Sequence, residues 1–291
     1  MNRPLLLLLG TGATLGLNFP IGKLAMAANV NPALWAAMIS IGAGLALLII
    51  VKLAEQESAV AATTQFAFIS GFLSYVVPNF LTFLVIPNIG SGLTAIMFAL
   101  SPVVTALLSL TLRVRPPSVL GVLGIAVGLA GALIIILSRN ADFRTNSDVW
   151  ILAALLIPIF LGIGNVYRTM AWPQGASPRK LASLTNLAAA PLLLLTALAQ
   201  TGTINPAPLA NIPGLAALQI IVSTIMFLMF FRLQQIGGPT YLSQIGYVAA
   251  AVGVVIGVVY LGETYPVSVW IGAGVVAAGI ALSTLGQLQR A

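Results

Sequence analysis

The chain has 291 residues, 59% of them apolar and 6% charged, with a net charge of +7. Soluble domains are about one-quarter charged, so this chain cannot wet a globular surface, and its mean hydropathy of +1.08 points to lipid as the solvent. Having no Cys and no His excludes disulfides, thiol chemistry, the usual zinc clusters and His-dependent nucleophilic triads; no basic run exceeds Arg179-Lys180, which fits membrane-flanking loops and not nucleic acid.

A bilayer-spanning helix needs about 20 mostly apolar residues, and ten stretches qualify. The first, 5–24, follows Met1-Asn2-Arg3 like a signal peptide, but its apolar run continues through Phe19 as a spanning helix does. It carries Asn18 beside Phe19-Pro20, and Lys23 near its end. The second is 33–52. In the third, 62–86, Gly71, Tyr75, Asn79 and Thr82 share one helical face, with Pro78 placed to bend it. In the fourth, 90–111, Thr94, Ser101 and Thr105 share a face with Phe98. The fifth, 118–137, has a glycine face through Gly121, Gly124, Gly128 and Gly131, a close-packing signal. After the widest gap, 138–148, the sixth stretch, 149–168, carries Asn165, Tyr167 and a terminal Arg168. The seventh is 180–199 and the eighth 213–232, ending in Arg232. The ninth, 239–260, aligns Thr240, Gln244 and Tyr247; the tenth, 267–286, bears Gly272 and Gly279.

Pro, Gly, Asn or charge marks every break, and the connections are too short for a soluble domain. Polar side chains in hydrocarbon are costly, so these should point inward, either to bond helix to helix or to meet a solute. Lys23, Arg168 and Arg232 either snorkel to the interface or, for Lys23 and Arg168, attract a substrate carboxylate. No P-loop is present, so ATP is not the direct energy source.

With the N-terminus inside, nine basic residues fall inside and three (Lys23, Arg139 and Arg144) outside, so both termini are predicted cytoplasmic. The halves 1–140 and 141–291 are alike. The fifth and tenth stretches align at an offset of 151, pairing Gly121 with Gly272 and Gly128 with Gly279, and Ile89-Gly90 matches Ile236-Gly237 at 147. Five helices per half is an odd number, so the second half enters from the opposite side. The expected fold is all-α, ten transmembrane helices as two inverted five-helix repeats, with a site between them near the midplane.

Three motifs in order resemble the drug/metabolite transporter superfamily, specifically bacterial proteins with two EamA-type domains. Leu15-Gly16-Leu17-Asn18-Phe19-Pro20-Ile21-Gly22-Lys23 is similar to the W-G-x-N-F-x-x-x-K signature, with Leu for Trp. Leu100-Ser101-Pro102-Val103 is similar to an l-x-P-v segment, and Leu261-Gly262-Glu263 to the L-G-E junction before the last helix. Ile39 replaces an Arg common in such proteins, and Ala250 replaces the second-half counterpart of Pro102. The resemblance implies a bacterial inner-membrane carrier working by alternating access, often an exporter. Its cavity would come from stretches one, three, four, six, eight and nine, with five and ten peripheral.

The expected function is transport of a small metabolite, an amino acid first, with a lipophilic-compound exporter or a channel as alternatives. The expected substrate-binding residues are Asn18, Tyr75, Asn79, Ser101, Asn165, Tyr167, Gln244 and Tyr247, with charge contacts from Lys23 or Arg168. No catalytic group, metal or cofactor is expected. The partners are the small-molecule substrate and the lipid bilayer, the chain acting as monomer or homodimer. The five carboxylates (Glu55, Glu57, Asp142, Asp148 and Glu263) fall in loops or at helix ends, so no buried one couples transport to protons.

Overall fold

A computed structural model describes residues 3–54, 63–114, 117–137, 147–262 and 266–288. Of the five carboxylates, Glu55, Glu57, Asp142 and Glu263 lie outside these residues, as does the Asp148 side chain, together with Arg115, Arg139, Arg144 and Arg290. Every described element is a helix. In order they are α1 (Arg3–Ala27), α2 (Pro32–Ala54), α3 (Thr63–Gly71), a π-turn (Phe72–Val76), α4 (Val77–Phe98), α5 (Ser101–Thr111), α6 (Val119–Leu137), α7 (Ser147–Met170), α8 (Pro178–Thr201), α9 (Ala207–Ala210), α10 (Pro213–Ser243), α11 (Ile245–Leu261) and α12 (Val267–Leu288).

Within the described residues, each of the ten apolar stretches is mainly helical. Six helical runs, among them Thr63–Thr111 and Pro213–Ser243, are long and apolar enough to cross a membrane, and three shorter apolar helices accompany them. The outer surface is correspondingly oily, with Leu53, Val119, Val149 and Val267 widely exposed. In water such a surface would aggregate; in lipid it costs nothing. This is a multi-pass membrane protein.

The two longest runs are not straight. Gly90 (φ 81°) and Gly238 (φ 71°) interrupt α4 and α10 with left-handed backbone that only glycine adopts without strain. The chain reverses there. Pro78 and Phe98 lie on opposite sides of Gly90 yet line one cavity, which also holds Phe227 and Ser243 from either side of Gly238. Straight helix would separate each pair by about 25–30 Å. The break in the second half falls at Gly238, one residue beyond the Gly237 that the sequence match aligns with Gly90.

The π-turn precedes Pro78, which lacks an N–H to bond one turn back. Val77 N–H reaches Phe72 O, and the wider turn absorbs the mismatch. Just past each reversal the chain breaks again. A turn at Ala99 and Leu100 separates α4 from α5, and Gln244 separates α10 from α11. These breaks touch: a Cβ on Gly246 would stand 2.2 Å from Phe98 O.

Helices α6 and α12 pack antiparallel along their glycines, Gly124 on Ser283, Gly128 on Gly279, and Gly131 on Gly272 and Val276. A Cβ on Gly279 would stand 2.5 Å from the Gly128 nitrogen. The glycine faces are therefore packing surfaces. Gly128 and Gly279 are also the mates of the offset-151 alignment, so equivalent residues of equivalent helices meet head to tail. Similarly, α2 and α8 run antiparallel, from Asn31 against Gln200 to Gly44 against Asn186. Close approach of Gly16 to Val252 and Ala249 has its counterpart in Gly162 against Val104 and Thr105.

Candidate functional site

A cavity of about 530 Å³ lies among α1, the π-turn, α4, α5, α7, α10 and α11. Stretches one, three, four, six, eight and nine all supply wall residues; 118–137 and 267–286 supply none. The wall mixes rings (Tyr75, Phe98, Phe227, Phe230) with Ser74, Asn79, Ser101, Asn165 and Ser243. A second space of about 330 Å³ shares Leu15, Asn79, Phe98, Met226 and Phe227 with it and adds Asn18, Thr82 and Ser223. The two spaces adjoin across these shared residues and are treated as two ends of one compartment, with Asn79 bordering both. A few polar groups placed on otherwise apolar walls are typical of small-molecule sites.

At the second end, the Asn18 amide nitrogen donates to Thr14 O at 2.8 Å. Its oxygen accepts from Gln219 Nε2 and from Ser223 Oγ, the latter at 3.0 Å. Asn18 is thus saturated, while the Gln219 oxygen, fully buried, has no partner among the described residues.

At the first end the centre of charge is Arg168, 0% exposed. Its guanidinium donates to Ser74 Oγ, to Asn165 Oδ1 at 2.5 Å and to Gln234 Oε1 at 3.4 Å. It also lies 4.8 Å over the Phe230 ring. No carboxylate among the described residues accompanies it. Beside this group Tyr75 is 2% exposed, its ring lies tilted 4.8 Å from that of Phe227, and its hydroxyl has no partner among the described residues.

Of the residues singled out by sequence, Tyr75, Asn79, Ser101 and Asn165 line the larger end, and Asn18 and Asn79 the smaller. Tyr167 stacks on Phe66 at 6.1 Å and lines neither end; two residues from Asn165 is about 200° around a helix, so the pair cannot share a face. Gln244 occupies the break before α11, buried and off the wall. Tyr247 turns to α6, its hydroxyl 3.5 Å from Ile125 O and its ring against Gly128. The stripe Thr240, Gln244 and Tyr247 assumed one continuous helix, but the chain restarts at Ile245, so Ser243, Ile245 and Gly246 face the cavity. Lys23 is half-buried and off the wall. Arg168 does not snorkel.

Sequence reading passed over Ser74, Gln219, Ser223 and Gln234. Gln219 carried the same signal as Asn18, an amide in an apolar run, whereas Gln234 lies in the break after Arg232. Ser74 and Ser223 did not carry it, since lone hydroxyls commonly bond their own helix.

Two segments of the chain, 2–137 and 148–285, match the EamA-like transporter family. A crystal structure of known fold is similar over 97% of this chain and 98% of its own, with a TM-score of 0.69 and 18% identity. No curated protein sequence matches the chain.

Proposed function

The chain belongs to the EamA-like transporter family, of the drug/metabolite transporter type, and we propose that it carries a small metabolite across the membrane by alternating access. The observation behind this reading is the compartment itself. Both halves of the chain wall it, and two broken helices meet at its edge at Phe98 and Gly246. Broken helices at a repeat interface are where carriers of this design bind solute. Counting Gly90 and Gly238 as reversals between crossings, the chain crosses ten times, as inverted repeats 1–140 and 141–291. The antiparallel packing of α6 on α12 and of α2 on α8 supports the inversion.

An amino acid is our first substrate class, exported or exchanged through the bacterial inner membrane, with both termini cytoplasmic. The basic-residue count behind that orientation survives the burial of Arg168, which leaves eight inside against three outside. Since one chain encloses the compartment, a single copy suffices for transport. Reporter fusions at Ala291 and within 200–212 should report opposite sides; the same side for both would sink the topology.

The deciding experiment is counterflow in proteoliposomes loaded with one unlabelled amino acid at a time. Saturable uptake of the labelled compound supports a carrier. Unsaturable flux points to a channel, and uptake of lipophilic dyes alone to the lipophilic-compound exporter that the aromatic wall would also suit. No flux of any solute overturns the proposal.

A further inference from the structure

A hydrogen bond has a direction, and at the Arg168 end the directions all agree. Arg168 has only donors, five N–H groups in a fixed fork. The atoms that receive them are therefore acceptors, which fixes the Asn165 amide with its oxygen toward Arg168. Ser74 Oγ likewise accepts from the guanidinium, leaving its O–H hydrogen to donate elsewhere. The Asn165 amide nitrogen makes one long contact, 3.4 Å to Thr105 Oγ1, and keeps a second hydrogen. Ser74 and Asn165 both stand on the cavity wall with Tyr75, whose buried hydroxyl has no partner. Tyr75 is within electrostatic reach of Arg168. Three donors thus line the same cavity, and a full positive charge lies directly behind two of them, Ser74 and Asn165. Ser74 Oγ and Asn165 Oδ1 each give one lone pair to the guanidinium. Bonds from ionised donors are the stronger kind, and polarised relays strengthen one another in a low-dielectric site.

A buried cation with no carboxylate beside it among the described residues is costly to keep. An arriving anion supplies the missing charge. The same wall carries Phe98, Phe227 and Met226, with Asn79, Ser101 and Ser243 among them. We propose that the cavity takes an amphipathic monocarboxylate, its carboxylate received by Ser74, Tyr75 and Asn165 with Arg168 behind them, and its apolar part lying against Phe98 and Phe227. The inference rests on the carrier reading for its biological meaning but not for its chemistry. It makes the carboxylate, and not an amino group, the feature that is read; no described side chain on this wall carries the negative charge an ammonium would seek.

The probes are 3-phenylpropanoate, 3-phenylpropanamide and 3-phenylpropylamine, which share a ring and differ in the head group. Binding to the purified full chain in detergent is measured by calorimetry and by thermal shift. Wild type should prefer the acid over the amide by about tenfold or more, and over the amine by at least as much. Tyr75→Phe, which removes one hydroxyl, and Arg168→Gln should each shrink the acid-to-amide ratio toward one. If Arg168→Gln does not fold, the wild-type ratio and Tyr75→Phe still decide. Equal binding of acid and amide, tighter binding of the amine, no binding of the acid at millimolar concentration, or an unchanged ratio in the folded variants each overturns the inference. Acid binding without counterflow sinks the carrier reading alone. Counterflow that favours amide or amine sinks the carboxylate alone.

Discussion

Asn18 and Asn165 stand 147 residues apart in sequence, one in each half, one at each end of the compartment. Residue type and architectural position are the same, yet their surroundings have opposite polarity. Asn18 faces Gln219 and Ser223, which are neutral and already bonded to each other at 2.9 Å. Asn165 faces the Arg168 guanidinium. At the same offset, the first half has Ile21 where the second has Arg168. Left over at the Asn18 end is a buried acceptor, the Gln219 oxygen; left over at the Asn165 end is the Tyr75 hydroxyl, which can donate. A duplicated scaffold thus gives two matched binding positions, and a single replacement three residues along the helix sets the sign of one of them. Symmetry supplies the compartment; departure from symmetry supplies selectivity.

The widest gap between the ends should appear when both asparagines become leucine, similar in size but without polar atoms. Asn165→Leu removes an acceptor from a buried cation and should cost about 2–3 kcal/mol. Asn18→Leu leaves Gln219 and Ser223 bonded to each other and should cost about 1 kcal/mol. Unfolding midpoints of the two variants in the same detergent measure the difference. Equal losses would mean that Arg168 is held well enough by Ser74 and Gln234, and that the ends do not differ as described.

A second pair tests the sameness beneath that difference. Gly16 and Gly162 make equivalent close approaches, to α11 and to α5. A Cβ on Gly16 would lie 2.7 Å from Val252 Cβ and 2.9 Å from Ala249 O; on Gly162 it would lie 2.7 Å from Val104 Cγ1. Alanine at either position overpacks the crossing and should cost on the order of 1–2 kcal/mol. Gly16→Ala should be the worse, because a backbone oxygen yields less readily than a side-chain methyl. A variant that costs nothing would show that its crossing is loose and the repeat correspondence superficial there.

Hydropathy made the helices legible, because ten apolar runs separated by Pro, Gly and charge leave the chain few other arrangements. Asn18, Tyr75, Asn79, Ser101 and Asn165 were legible for a related reason: polar groups in an apolar helix must turn toward one another or toward a cavity. Which of those two they do depends on register, and register was not legible wherever the helix breaks. The π-turn at Phe72–Val76 shifts the face by a residue and brings Ser74 to the wall beside Tyr75. The restart at Ile245 sends Tyr247 the other way. Position alone left Arg168 open between snorkelling and a solute contact. An arginine in the last turn of an apolar helix looks like a snorkelling one unless its neighbours on distant helices are known, and Ser74 and Gln234 are 94 and 66 residues away.

Solvent access separates cavity from packing at still smaller cost to stability. With no native Cys, single substitutions report cleanly. Asn79→Cys, on the wall shared by both ends, should react with a polar thiol reagent and be protected by a bound solute. Tyr247→Cys, facing α6, should stay unreactive in the folded protein. Labelling at Tyr247→Cys and none at Asn79→Cys would place the pathway along the α6–α11 boundary and not in the compartment.

The smallest expected effect is none at all, and it bears on both ends equally. Proton-driven carriers hold a group inside the membrane whose protonation changes the cost of burial between two states. The chain has no histidine, and no carboxylate is among the described residues lining either end. The guanidinium keeps its charge across the physiological range. A protein so built should run down its substrate's own gradient or exchange one solute for another. Proteoliposomes given a pH gradient and no solute gradient should therefore accumulate nothing beyond equilibrium. Uphill uptake abolished by an uncoupler overturns this, and Glu263→Gln then assigns the proton. Loss of uptake in that variant implicates Glu263, whereas survival excludes it as the proton carrier.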